Sequence, residues 1–88
     1  MERPDHLIYA VHVTDRLHQA SEVQRLLTEY GGHIKTRLGL HETGGKVTAP
    51  NGLLLLEMVG NPADCQGLLD KLNALHGIEA KAIVFSHP

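Results

Sequence analysis

The sequence predicts a single α+β domain with the element order β-α-β-β-α-β, and three observations lead there. Apolar residues recur with period two in some segments and with helical period in two others. Glycine and proline fall at the joints between those segments. The two halves of the chain also repeat each other weakly. At 88 residues the chain makes one domain, 1–88, near the lower end of what folds alone. Hydrophobic residues are 42% of it, enough for a compact core and against bulk disorder. The aromatics are only Tyr9, Tyr30 and Phe85, so that core is built from Leu, Ile, Val and Ala.

Taken in order, Leu7 to Val13 (LIYAVHV) is short, apolar and rich in branched residues, which predicts a strand. Thr14-Asp15-Arg16 breaks it. From Leu17 onward Ala20, Val23, Leu26, Leu27 and Tyr30 fall at helical spacing with one buried stripe. Gly31-Gly32 is expected to stop this helix in the left-handed conformation that glycine adopts without penalty. His33 to Leu40 alternates, with Ile34, Thr36, Leu38 and Leu40 expected on one face, as in a half-buried strand. Residues 41–52 (HETGGKVTAPNG) read as one long loop. Leu53 to Val59 (LLLLEMV) is apolar on nearly both faces, as a central strand would be. Asn61-Pro62-Ala63-Asp64 opens a second helix, with a capping side chain, proline at the first position and an acid in the first turn. Its stripe is Cys65, Leu68, Leu69, Leu72 and Leu75. Gly77 closes the turn, and Ile78 to Phe85 is the last strand.

Two right-handed βαβ units interleave in this order into a four-stranded antiparallel sheet with both helices on one face. That is the ferredoxin-like sandwich, in which the first and third strands are central and the second and fourth are edges. The face without helices should be polar if it meets water. Yet the first strand carries Ile8, Ala10 and His12 on that side, and the third carries Leu53, Leu55 and Val59. An apolar patch of this size marks an association surface. A homodimer or higher assembly is expected in preference to a monomer with an ordinary apolar sheet face, with Ile8, Leu53, Leu55 and Val59 in its interface.

Charge and composition exclude several classes. The net charge is -2 and the eight Lys and Arg are scattered, so direct nucleic-acid binding is not expected. Three aromatics do not make a base-stacking platform. Cys65 is the only cysteine, which rules out an intrachain disulfide and any zinc motif built on several cysteines. No apolar run reaches membrane-spanning length and the first residues lack the order of a signal peptide, so a cytoplasmic protein is expected.

Seven histidines invite a metal reading. Spacing argues against a site in one subunit: His6 and His12 share a face but lie ~20 Å apart, and His33 and His41 ~26 Å apart. Neither an H-x-H pair nor a helical H-x-x-x-H pair occurs. A metal would need ligands from two subunits or from the long loop, which leaves His12, His33 and His41 as candidates. His76 has an electrostatic explanation, a cation near a helix C-terminus. For a small effector, the turn at Thr14, Asp15 and Arg16 combines a helix start, whose N–H groups attract anions, with a cation. Asp15 as a simple helix cap explains the same residues. Gly44-Gly45-Lys46 lacks the spacing of a phosphate loop. No Ser-His-Asp or Cys-His arrangement can be read, and Cys65 sits on a buried stripe, so no enzyme is expected.

Several short motifs carry a resemblance. Val13-Thr14-Asp15-Arg16, Val23-Gln24-Arg25-Leu26-Leu27 and Ile34-x-x-Arg37-Leu38-Gly39 resemble the iron-only hydrogenase system regulators. So do Leu53 to Val59, Gly67-Leu68-Leu69-Asp70-Lys71-Leu72 and Gly77-Ile78-x-x-Lys81, and together the matches span about residues 7–84. The resemblance implies a stand-alone ACT-like regulatory domain that oligomerises through its sheets. It implies an effector, or a divalent metal such as nickel, bound between subunits, because this family is similar in fold to the nickel-sensing C-terminal domain of nickel-responsive repressors. The H-x-H followed by Cys of those repressors is absent here. So is the glycine that ACT domains place after the Asp-Arg turn, where Leu17 and His18 stand. DNA contact or a role in hydrogenase maturation would then come through a partner protein. The other readings are a protein-interaction or structural module without ligand, and a nickel sensor.

Overall fold

The computed structural model describes residues 6–14, 16–40 and 52–86, with backbone alone for Arg16, Leu17, His18 and Leu40. The expected loop therefore lies outside the described residues, apart from Gly52. The elements are β1 (His6–Val13), α1 (Arg16–Glu29), a 3₁₀ turn (Gly31–His33), β2 (Ile34–Leu40), β3 (Gly52–Met58), α2 (Pro62–Asn73) and β4 (Ile78–Phe85). The sheet runs β2-β3-β1-β4, and all three pairings are antiparallel. The predicted βαββαβ architecture, with β1 and β3 central, is the one found.

The odd-numbered residues of β1 face the helices. Tyr9 and Val11 are enclosed with Leu56 and Met58 of β3, Leu26 and Leu27 of α1, and Cys65, Leu68 and Leu72 of α2. Burial pushes the Tyr9 phenol up to about 12, so it stays protonated at ordinary pH. In α1 the stripe is Val23, Leu26, Leu27 and the half-buried Tyr30, whereas Ala20 is exposed and Gln19 is half-buried. At 100° per residue, Gln19 lies about 30° from the centre of the stripe and Ala20 about 70°. Angle outranks polarity at this position. Glu29 and Lys71 join the helices at their surface, the ammonium 2.7 Å from the carboxylate and 5.1 Å from the Tyr30 ring centre.

Both helix ends carry local signals, but they are used differently. The Asn61 side chain accepts the Ala63 N–H at 2.7 Å with proline at the first position, as expected for the start of α2. Gly31 and Gly32 do not take the expected left-handed cap. The positive-φ residues among those described are Gly60 (φ 94°) and Gly77 (φ 79°). Instead α1 tightens into a right-handed 3₁₀ turn, in which the His33 N–H donates to the Tyr30 carbonyl at 2.8 Å. His33 thus belongs to this turn rather than to β2.

β2 also departs from simple alternation. Ile34 pairs with Met58, but Thr36 pairs with the adjacent Glu57, so Lys35 is an extra residue in a β-bulge. Ile34 therefore packs against the helix-side core, while Thr36 and Leu38 fall on the opposite face. Ile34 is thus not on one face with Thr36 and Leu38, contrary to what the alternation leads one to expect.

The β4 edge is partly closed by a side chain. The Asn73 amide accepts the Ala80 N–H at 2.8 Å and donates to the Ala80 carbonyl at 3.0 Å. Both backbone groups of an edge residue are thereby satisfied, which guards the edge against pairing with another strand. Asn73→Ala should lower unfolding free energy by about 2 kcal/mol in a denaturant titration, since two part-buried groups lose their partner. Asn73→Asp, which keeps the acceptor alone, should fall between. A loss below ~0.5 kcal/mol would mean that water replaces the amide without cost.

Candidate functional site on the open face of the sheet

Residues opposite one another in an antiparallel ladder share a face, so the register fixes what the helix-free side presents. His12 lies between Leu53 and Glu79. The next row is Leu38, Leu55, Ala10 and Lys81, and the row after it Thr36, Glu57, Ile8 and Ile83. His6 and Phe85 end the face. The apolar residues form a diagonal band from Leu38 and Leu53, through Leu55, Ala10 and Ile8, to Ile83 and Phe85. Leu38 is 51% exposed, Leu53 38%, Ile83 44% and Phe85 53%. The expected apolar face is therefore there, with one substitution in its membership: Glu57 occupies the last place on β3. Val59 lies beyond the strand, 40% exposed, its N–H donating to the His33 carbonyl.

Polar groups occupy the two corners beside the band. At one corner stand His12, Glu79 and Lys81, with the Lys81 ammonium 3.9 Å from Glu79. At the other, His6 Nδ1 lies 3.1 Å from Glu57 Oε2 and the Thr36 hydroxyl donates to Glu57 Oε1 at 3.5 Å. The hydrogen bond from His6 is the main reason that the Glu57 carboxyl is held below its usual range, with Lys35 contributing. It is a fixed anion beside an apolar band. Sequence reading missed it, although Glu57 is the one charge in LLLLEMV and has the parity of Leu53 and Leu55.

Of the turn expected to receive an effector, Thr14 is placed: its N–H and its hydroxyl both donate to the Gly77 carbonyl at 2.8 Å. This ties the end of β1 to the start of β4. Asp15 and the Arg16 side chain lie outside the described residues, as does His41. His12 and His33 stand at opposite ends of β3, beside Leu53 and Val59, six positions or ~20 Å apart. His33 Nδ1 donates to the Val59 carbonyl at 3.1 Å, and Nε2 is 3.6 Å from Asp64. These residues do not converge on one ion within a subunit. Among the described residues, no group of three or more His, Cys, Asp or Glu side chains is placed to hold a metal.

Strand order, antiparallel pairing and the one-sided helices define an α+β sandwich of the ferredoxin-like class. The uncharacterized protein TM1266 from Thermotoga maritima is similar in structure, with a TM-score of 0.77 and 20% identity, over 93% of this chain and 98% of that one. At that identity the likeness is one of fold. No family model matches the chain, and no match is found among curated proteins. No described helix is long and apolar enough to cross a membrane.

Proposed function

We propose that the chain is a non-enzymatic, ACT-like regulatory module of an iron-only hydrogenase system. It acts as a homo-oligomer, dimer or tetramer, in the cytoplasm, and takes a small effector or a divalent metal at a subunit interface. One observation supports the assembly part of this reading: the middle of the helix-free sheet face is apolar and open. Resemblance to the hydrogenase system regulators supports the regulatory part, with a partner protein supplying any DNA contact. His12 is the candidate ligand that this face would bring into an interface.

Light scattering after size exclusion tests the assembly. The wild-type chain should run as a dimer or larger, and Leu55→Asp should be monomeric with its circular dichroism unchanged. A monomeric wild type at ~100 μM, a weak-affinity concentration, would sink the reading. A thermal-shift screen of divalent metals and amino acids tests the ligand. Stabilisation by Ni²⁺ that is lost in His12→Ala or His41→Ala supports metal binding between subunits. No response to any ligand would favour a protein-interaction module instead.

A further inference from the structure

The open face also specifies how two copies meet, an inference that rests on the homo-oligomer reading above. Strands spaced ~4.8 Å apart and residues spaced ~3.3 Å along them set the apolar band at about 40° to the strands. Laying band on band then crosses the two sheets near 90°, one of the two ways in which sheets pack face to face. A two-fold axis in the plane of the interface achieves this in two ways, along the band or across it. In both, the same patch serves both copies.

Charge separates the two. An axis across the band brings Glu57 of each copy directly over Glu57 of the other, because Glu57 lies beside the centre of the band. An axis along the band exchanges the polar corners, so that the cation at one corner covers the anion at the other. The flat area of the described face is only on the order of 450 Å², from the same spacings, against the roughly 800 Å² per partner of a standard interface. An interface this small has little margin for two facing carboxylates.

We propose that two copies of this chain stack open face to open face about a two-fold axis along the apolar diagonal, with Lys81 of each against Glu57 of the partner subunit. Glu57 is the fixed anion of the face, bonded to His6 and Thr36 and with Lys35 near it. Lys81 is 3.9 Å from Glu79 in its own chain, a long exposed pair that leaves the ammonium able to reach across. Phe85, at the end of the band, then lies on the axis and meets its own copy. About the other axis the two Phe85 residues would stand about 24 Å apart.

Two measurements on the full chain test this. Dimer dissociation constants from sedimentation equilibrium should rise at least tenfold in Lys81→Glu and in Glu57→Lys. The chain carrying both changes should recover most of the affinity, since both cross-pairs are reversed together. Separately, Phe85→Cys should be cross-linked to its own copy by a short bismaleimide, with the wild type, whose Cys65 is buried, as the unlinked control. A dimeric wild type whose double variant stays weak, or whose Phe85→Cys does not link, overturns the axis and leaves the oligomer reading standing. A monomeric wild type overturns both.

Discussion

Leu56→Ala is expected to cost about 3 kcal/mol of unfolding free energy and to lower the melting temperature by about 15 °C. Leu56 is fully enclosed at the middle of β3, between Tyr9 on β1 and Arg37 on β2, beneath the helices. Cutting it to alanine removes three buried carbons and leaves a cavity. The site has little freedom to collapse, because β3 is held by strands on both sides and Leu68 and Leu72 above are themselves fully packed. For a domain of this size the whole stability is of order 4–13 kcal/mol, so this one side chain accounts for a large part of the margin. Leu53→Ala, three positions earlier in the same strand but 38% exposed on the open face, should cost under about 1 kcal/mol in the monomer. Denaturant titration of both variants checks the pair. Equal losses would mean that the two faces of β3 are not buried as described.

These two leucines also mark where sequence is sufficient and where it is not. Leucine on every side of β3 signals a central strand, and Asn61-Pro62 signals the start of α2, because capping and a fixed proline φ are local effects. β4 is legible for the same reason, bounded by Gly77 and uniformly apolar in its second half. The bulge at Lys35 is not legible. IKTRLGL alternates without a break, and what splits it is the strand opposite, where Met58 is drawn into the core and Glu57 is left outside. Gly31-Gly32 is equally ambiguous alone. Glycine permits a left-handed cap or a 3₁₀ turn, and the attachments of His33 to Val59 decide between them.

The candidate site divides along the same line. Its apolar membership can be read from parity, so Ile8, Leu53 and Leu55 were visible before the fold. Its charged corners depend on register, which joins Glu57 to His6 across 51 positions and sets Lys81 against Ala10. The ferredoxin-like strand order implies that β1 and β2 are not neighbours, and in the sheet β3 does stand between the strand of His12 and the strand beside His33. What spacing could not reveal is that His33 is already occupied by the backbone of Val59.

That occupation makes Gly60 the second sensitive position, and Gly60→Ala is expected to cost about 3 kcal/mol from two separable sources. The first is backbone: at φ 94° an L side chain is strained by roughly 1–2 kcal/mol. The second is the neighbour. A Cβ built on Gly60 would stand 2.7 Å from His33 Nδ1, closer than real Cβ atoms come to a non-bonded neighbour, and 3.2 Å from Cε1, tighter than most such contacts. The ring cannot yield freely, because Nδ1 donates to the Val59 carbonyl and Nε2 faces Asp64. Moving it breaks a hydrogen bond that clamps the 3₁₀ turn to the β3–α2 corner, where the Cys65 thiol also donates to the same carbonyl at 3.4 Å. His33→Ala alone should cost about 1 kcal/mol, the usual net worth of one hydrogen bond. In that background the clash is gone and only the strain is left, so Gly60→Ala should then cost no more than about 2 kcal/mol. A double-mutant cycle measured by chemical denaturation reads the difference as a coupling of about 1 kcal/mol. If Gly60→Ala costs the same with and without the imidazole, His33 does not hold this corner, and the glycine is there for its backbone alone.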